Sequence, residues 1–372
     1  MPSRLRSMIS LALASLLCIA CEATEQVNLD TTKSDPITAR IPENPVPKGE
    51  RILELDANTT EDGDYDQSMH LARELGAQSI RLSVYWDDIE IEPGLYQPDP
   101  NWLAIANQYF TAQGFSISLV LSVLDTTEVH LPADLEGKSF DDPELISRFH
   151  SFLDYINSQL PDIQLVSLAI GNEIDGVLGT NSQAWQEYKI FFDSSAVYAR
   201  GLWPDTPIST KVTFDGLTGA MRETSRAIYD HSGVVMTTYY PLEADFSVRD
   251  PEVIKLDFQK LVKLFPDKKI HITEIGYPSS EVNNSSQSKQ ARFIHEMFQA
   301  WDEHANQIPV LSYSWLSDLP EEAVNELKTY YGLGDNRFGE FLRTLGLRTY
   351  PGSGENKRGY QIFLTEAKAR GW

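Results

Sequence analysis

The sequence predicts an α/β fold, a (β/α)8 (TIM) barrel that forms a single domain. Beyond residue 50, eight short apolar or β-branched runs alternate with longer amphipathic segments. Apolar strands joined by helices form parallel sheets that are covered on both faces, and eight such units suit a closed barrel. The chain of 372 residues is 41% hydrophobic and 23% charged, a composition typical of one large globular core. The alternative is an open doubly wound sheet, whose usual G-x-G-x-x-G and Walker motifs do not occur here.

The positions of the strands and helices are predicted from the periodicity of apolar residues in the sequence. The predicted strands are 52–55, 79–84, 115–123, 165–170, 207–212, 234–238, 269–273 and 309–315. The clearest helical patterns between them are 67–75, 101–113, 143–160 and 287–305, and 360–369 predicts a closing helix. Gly76 and Gly114 directly follow two of these patterns, and glycine after the last helical residue is a common stop signal.

The N-terminus predicts export. Residues 1–20 combine Arg4 and Arg6 with an apolar stretch that is too short to span a membrane, as in a signal peptide. The stretch ends in Leu17-Cys18-Ile19-Ala20-Cys21, which resembles a bacterial lipobox and implies lipidation of Cys21. We therefore expect a cell-envelope lipoprotein, with a plain secreted protein as the alternative. Residues 21–49 are polar and contain several prolines, so they predict a flexible linker before a domain at 50–372.

Charge and composition exclude several classes of function. The 31 Lys and Arg against 54 Asp and Glu give a net charge of −23, which argues against nucleic-acid binding because that requires clustered cations. The seven histidines form no HxH or HExxH pair, so no metal site is predicted. No G-x-S-x-G occurs, which argues against a serine hydrolase. We expect no cofactor, a monomer, and membrane contact only through the lipid anchor.

Two glutamates stand where a barrel of this kind carries its function. Glu173 follows the fourth apolar run and Glu274 follows the seventh, and the carboxyl ends of barrel strands surround the active site. Glycoside cleavage uses two carboxyl groups, about 5 to 5.5 Å apart for retention and about 6.5 to 9.5 Å apart for inversion. The alternative for either glutamate is that it caps the helix that follows. Two acids at one mouth favour hydrolysis.

The surrounding residues resemble a known group, the retaining β-glycosidases of glycoside hydrolase clan A. The matching segments are 171–173 (Gly-Asn-Glu), 273–278 (Thr-Glu-Ile-Gly-Tyr-Pro) and 238–241 (Thr-Tyr-Tyr-Pro). They are similar to the endo-β-1,4-galactanases and, slightly less, to the endo-β-1,3-glucanases, whereas the loop at 86–100 differs from both. The resemblance implies a (β/α)8 barrel in which Glu173 is the acid/base and Glu274 is the nucleophile.

The resemblance also implies substrate-binding residues. Tyr240 and Arg81 occupy places where the clan has residues that stabilise the ionised nucleophile, and Trp315 occupies the place of an aromatic floor for the sugar. Asn172 offers a donor and an acceptor, which suits the 2-hydroxyl of the sugar. The alternatives are Tyr239 in place of Tyr240, a structural ion pair for Arg81, and core packing for Trp315.

Further residues follow strand ends and are candidates for lining the site. Trp86 is predicted to bind substrate, and five others have an equal claim to structural roles: Tyr85, Asp125, His130, Tyr277 and Asp318. The complete hypothesis is a retaining glycosidase that cuts internal β-linkages of a polysaccharide, a β-glucan or β-galactan, through a covalent intermediate. One alternative is a non-catalytic glycan-binding envelope lipoprotein. Another is a structural or assembly lipoprotein, favoured if the loops at 86–100 or 124–141 block the mouth.

Overall fold

Eight parallel strands form a barrel, which confirms the predicted fold class. The computed structural model describes residues 45–58, 63–98, 100–350 and 354–372. Within this part of the chain the barrel strands are β1 (Ile52–Asp56), β2 (Ser79–Tyr85), β3 (Ser116–Asp125), β4 (Leu165–Asn172), β5 (Ile208–Ser209 and Lys211–Thr213), β6 (Val234–Tyr239), β7 (Lys269–Ile275) and β8 (Val310–Ser314). β1 pairs with β2 and β8, and the two segments of β5 pair with β4 and β6. Strand β5 therefore closes the ring.

Helices lie between the strands and cover the barrel. In the described residues they are α1 (Tyr65–Glu74), α2 (Trp86–Ile89), α3 (Trp102–Gln113), α4 (Pro143–Gln159), α5 (Asp175–Leu178), α6 (Ser182–Leu202), α7 (Phe214–Thr218), α8 (Arg222–Ala227), α9 (Val253–Leu264), α10 (Gln287–Glu303), α11 (Glu321–Tyr330), α12 (Asn336–Arg343) and α13 (Arg358–Arg370). Helix α3 ends at Gly114 with φ 71°, as predicted, because glycine adopts this left-handed conformation without steric cost.

Short elements complete the described chain. Strands Glu90–Glu92 and Leu95–Tyr96 pair antiparallel outside the barrel, and Glu128–Val129 pairs with the end of β3. Single turns of 3-10 helix occupy Ala133–Leu135 and Glu281–Asn283. None of the helices in the described ranges is long and apolar enough to cross a membrane.

A second hydrophobic cluster lies beside the main core and holds helices α11 and α12, which we call the cap. Trp315, Phe246 and Leu345 join apolar residues of both helices in this cluster. The cap is also bonded to loops around the mouth of the barrel. Tyr330 donates to Asp125 at the end of β3, and Glu340 accepts from Ser280 after β7. The cap thus connects opposite parts of the rim.

The start of the described chain contacts the barrel. The backbone N–H of Val46 donates to Asp302 of α10 at 3.2 Å, and that of Lys48 donates to the carbonyl of Arg370 of α13 at 2.8 Å. These residues belong to the segment predicted as a linker, and their hydrogen bonds place them on the domain surface. The predicted signal peptide and Cys21 lie outside the described residues.

Candidate active site

The end of β4 has a backbone conformation that directs Glu173 into the mouth. Gly171 has φ 82° and Glu173 has φ 43°, both in the left-handed region that side chains with a Cβ rarely adopt. A Cβ on Gly171 would lie 2.6 Å from Cγ2 of Ile174 and closer still to the hydroxyl of Tyr188. That hydroxyl donates to the carbonyl of Ile170 at 3.0 Å. Glycine at 171 therefore lets the strand turn while Tyr188 secures its last residues.

Glu173 is a buried carboxyl group with hydroxyl partners. Its side chain is 1% exposed. Thr126 donates to Oε2 at 3.0 Å and Thr238 donates to Oε1 at 2.5 Å. Burial raises the pKa of Glu173 well above its ordinary value, and the negative charge of Glu274 raises this pKa further. Because desolvation and a like charge both disfavour ionisation, Glu173 holds its proton to a higher pH than a free glutamate.

Glu274 is equally buried but lies among cations. Lys211 donates to Oε1 at 2.5 Å, Arg81 lies 2.5 Å from the same oxygen, and the hydroxyl of Tyr240 donates to Oε2 at 3.1 Å. Burial alone would raise the pKa of Glu274, but the charges of Arg81 and Lys211 outweigh it, so the pKa is lowered. Opposite charges and donated hydrogen bonds favour the ionised form. Glu274 is thus the carboxylate of the pair.

The two glutamates are connected through Thr238. Thr238 is the register partner of Glu274 on the neighbouring strand, and the same threonine donates to Glu173. One carboxyl group with a raised pKa therefore lies beside another whose pKa is lowered. This division is what a pair of acids needs to act as proton donor and nucleophile in one site.

Asn172 lies beside Glu173 and is held by an aspartate. Its Nδ2 donates to Oδ1 of Asp125 at 2.7 Å, and both side chains are buried. Asp125 follows from the sequence as one of several candidate residues at strand ends. The structure places it in direct contact with a predicted substrate-binding residue.

The remaining predicted residues divide between the site and the core. The hydrogen bond to Glu274 comes from Tyr240, whereas the hydroxyl of Tyr239 donates to Asp257 at 2.8 Å. Arg81 forms ion pairs with both Glu274 and Asp56, so it has a structural partner and also contacts the predicted nucleophile. Trp315 is 2% exposed and packs in the second cluster beneath the cap.

Trp86 is not brought to the site, which corrects the prediction that it binds substrate. Its ring is fully buried and stacks on Phe152 with centroids 5.7 Å apart. Its Nε1 donates to Glu90 at 2.7 Å. Residue 86 begins helix α2, and that turn directs the ring into the core between strand and helix. A tryptophan after a strand end is therefore not by itself a sign of a binding surface.

Three functional contacts were missed by the sequence analysis. Lys211 lies in an apolar run that was treated only as a strand, although a lysine inside a buried strand requires a charged partner. That signal could have led to Lys211. Thr126 and Thr238 carry no such signal, because threonine is common in strands and turns. In the part of the chain that the structure describes, no three His, Cys, Asp or Glu side chains group as metal ligands.

Comparisons with known proteins bear on the fold. The chain matches no protein-family model and no curated protein. It is similar to the solved structure of exo-β-1,4-mannosidase Op5Man5 from Opitutaceae bacterium strain TAV5, with TM-score 0.68 and 17% identity over 86% of this chain and 59% of that chain. A GH5_18 protein from Streptomyces cattleya in complex with Manβ1-4GlcNAc gives TM-score 0.67 and 15% identity over 86% and 80%.

A third structure, the GH53 catalytic domain of Ignisphaera aggregans, gives TM-score 0.59 and 17% identity over 88% of this chain and 99% of that one. The chain thus spans nearly all of the GH53 domain but well under two thirds of the mannosidase. At these identities the likeness establishes the (β/α)8 fold.

Proposed function

We propose that the protein is a retaining glycoside hydrolase that cleaves β-linkages by double displacement. The proposal rests on one observation, two buried glutamates at the same mouth whose surroundings shift their pKa values in opposite directions. Burial and the negative charge of Glu274 raise the pKa of Glu173, whereas two cations lower the pKa of Glu274. The resemblance to clan A and the names of the structural neighbours support the same reaction.

The chemistry takes two steps. In the first, Oε2 or Oε1 of Glu274 attacks the anomeric carbon while the proton of Glu173 passes to the leaving oxygen, so one C–O bond forms as another breaks. In the second, Glu173 removes a proton from water, the water oxygen attacks the anomeric carbon, and Glu274 leaves as a carboxylate. Two displacements restore the β-configuration.

The neighbouring residues have roles that suit this route. Arg81 and Tyr240 contact Glu274 and compensate its charge before attack and after departure. Asn172 lies beside the acid, where it can bind the sugar hydroxyl next to the anomeric carbon. Trp315 follows β8, where clan A enzymes have an aromatic floor for the sugar, and it is buried in the cluster beneath the cap.

For the substrate we propose an internal β-linkage of a polysaccharide, with β-glucan and β-galactan suggested by the sequence motifs. The names of two structural neighbours add β-mannosides to the substrates worth testing. A panel of soluble β-glucans, galactans, mannans and xylans, digested with residues 22–372, identifies the polymer. Release of oligosaccharides as the β-anomer supports the proposal. Products of α-configuration contradict retention, and binding of one polymer without any release favours the glycan-binding alternative.

The nucleophile is tested with Glu274→Ala. We expect turnover to disappear while the fold remains, and external azide to restore it as a glycosyl azide of inverted configuration, because azide occupies the space of the lost carboxylate. Glu296→Ala is the matched control, since Glu296 is buried on α10 but pairs with the half-exposed Lys255 far from the mouth. Wild-type turnover in Glu274→Ala would overturn the assignment.

The acid is tested with Glu173→Ala and a series of aryl glycosides. Glycosides with good leaving groups need no proton in the first step, so the variant should cleave them at nearly the wild-type rate. Glycosides with poor leaving groups should be cleaved much more slowly. An equal loss for all leaving groups would count against Glu173 as the acid.

We also propose that the protein is exported and anchored by a lipid on Cys21. The support is the N-terminal sequence pattern. Labelling with radioactive palmitate in a bacterial host tests it, since wild type incorporates the label and Cys21→Ser does not. Equal labelling of both proteins, or of neither, contradicts lipidation at this residue.

A further inference from the structure

A chain of hydrogen bonds leads from the edge of the mouth to Asn172. Nδ1 of His130 lies 3.2 Å from Asp87, and Nε2 lies 2.8 Å from the hydroxyl of Tyr330. That hydroxyl lies 2.9 Å from Oδ2 of Asp125, whose Oδ1 accepts from Nδ2 of Asn172 at 2.7 Å. Tyr330 comes from the cap, Asp87 comes from helix α2, and the others come from loops and strands of the barrel. The chain therefore joins the cap to a residue beside the catalytic acid.

The bond between Asn172 and Asp125 has the same direction for both placements of the proton that the chain shares, although the bonds of Tyr330 reverse. With both nitrogens of His130 protonated, Tyr330 donates to Asp125, and the carboxyl group is ionised. With that proton on Oδ2 of Asp125, the acid donates to Tyr330, and Tyr330 donates to neutral His130. Oδ1 of Asp125 carries no hydrogen in either arrangement, so it can only accept.

The carboxamide of Asn172 is consequently held in one orientation. Its NH2 group must face Asp125, which turns Oδ1 away from that aspartate. Oδ1 is buried, and no donor among the described residues reaches it. A buried acceptor without a donor costs free energy. Asn172 directly precedes Glu173 at the end of β4, so a hydroxyl of a sugar bound at the acid is a candidate donor for this acceptor.

We propose that Asp125 and Tyr330 are positioning residues that orient Asn172 so that its Oδ1 accepts a hydrogen bond from the substrate. The inference rests on the proposed function. It makes a specific demand on the substrate, because the sugar carbon next to the anomeric centre must carry a hydrogen-bond donor. It also gives the cap a role in the reaction, since its Tyr330, together with the hydroxyl of Tyr85 at 3.3 Å, occupies Oδ2 of Asp125 and leaves Oδ1 to accept from Asn172.

The test compares Tyr330→Phe with Tyr198→Phe. Tyr198 also donates to an aspartate, Asp154, at 2.8 Å, but on the exposed side of α6. The substrates are the aryl glycoside of the sugar that the panel identifies and its 2-deoxy counterpart. For Tyr330→Phe we expect kcat with the 2-hydroxyl substrate to fall about 10-fold and KM to change by less than about threefold, because the bond strengthens in the transition state.

The preference for the 2-hydroxyl over the 2-deoxy substrate, measured as kcat/KM, should fall by the same factor in Tyr330→Phe and stay unchanged in Tyr198→Phe. An equal loss on both substrates would show that Tyr330 only supports the fold and would overturn the proposal.

A measurement without substrate separates this inference from the proposed function. The two Nδ2 protons of Asn172 are assigned by NMR as the signals that Asn172→Asp removes. In wild type they should exchange slowly with solvent, and in Tyr330→Phe at least about 10-fold faster, because the opening of their bond becomes easier. Unchanged exchange contradicts the positioning role whether or not a glycoside is cleaved. Absence of turnover with altered exchange refutes only the proposed function.

Discussion

Replacing Lys211 by methionine removes one of the two cations on Glu274 and keeps most of the volume. The ammonium lies 2.5 Å from Oε1, and both side chains are fully buried. At an effective dielectric constant of about 20, unit charges at this separation attract with about 7 kcal/mol. Desolvation of the lysine offsets most of this, and hydrogen bonds to charged groups retain about 1.5–3 kcal/mol. Since one pKa unit corresponds to 1.36 kcal/mol, the pKa of Glu274 should rise by about 1–2 units.

Two assays detect the change. The acidic limb of the kcat/KM profile should move to higher pH by about 1–2 units, because Glu274 must be ionised to attack. Stability should fall by about 1.5–3 kcal/mol in urea unfolding at pH 7. The lowered pKa of Glu274 stabilises the fold above the unfolded-state pKa, and this stabilisation is lost as pH falls through the folded-state pKa. The stability difference should therefore shrink as pH falls below about 4, the ordinary pKa of glutamate.

Lys189→Met is the matched control. Lys189 pairs with Asp193 at 2.8 Å on one helix, but both side chains are partly exposed, so its loss should cost at most about 0.5 kcal/mol. If Lys211→Met were as stable as this control and its acidic limb stayed in place, the reasoning that Lys211 keeps Glu274 ionised would be refuted.

Three further predictions follow from the site. Activity of the wild type should fall as pH rises through the raised pKa of Glu173, since the acid loses its proton, and this limb should vanish in Glu173→Ala assayed with a good leaving group. Gly171→Ala should lose about 2–5 kcal/mol of unfolding free energy from the left-handed backbone and the clash with Tyr188; a loss below 1 kcal/mol would contradict the close packing. Tyr240→Phe should lower kcat about 10-fold through its lost bond to Glu274, whereas Tyr239→Phe should mainly lower stability; equal kinetics would contradict this distinction.

The barrel could be predicted because its strands are apolar throughout and its helices are bounded by recognisable signals. The predicted β4 begins at residue 165, as observed, but it stops two residues early, before Gly171 and Asn172. Such residues at the end of a strand look like a loop in the sequence, and here they remain in the sheet because Asn172 pairs with Asp125 of the neighbouring strand.

The contacts within the site were harder to predict. Glu173 and Glu274 could be found because each follows an apolar strand at the functional rim. The charge of Lys211 inside an apolar run was a usable signal, but its pairing with Glu274 and the position of Tyr330 depend on how β5 and the cap pack at the mouth. Trp86 shows the opposite kind of error. Its position after a strand predicts a substrate-binding side chain, but helix α2 packs the ring into the core.

The cap affects the order in which the protein loses activity and structure in denaturant. Its helices rest on a hydrophobic cluster separate from the main core, and small packed units open at lower free energy than the whole domain. When the cap opens, Tyr330 moves away from the mouth, so the orientation of Asn172 is lost while the barrel remains folded. In rising urea, catalysis should therefore disappear before circular dichroism reports unfolding.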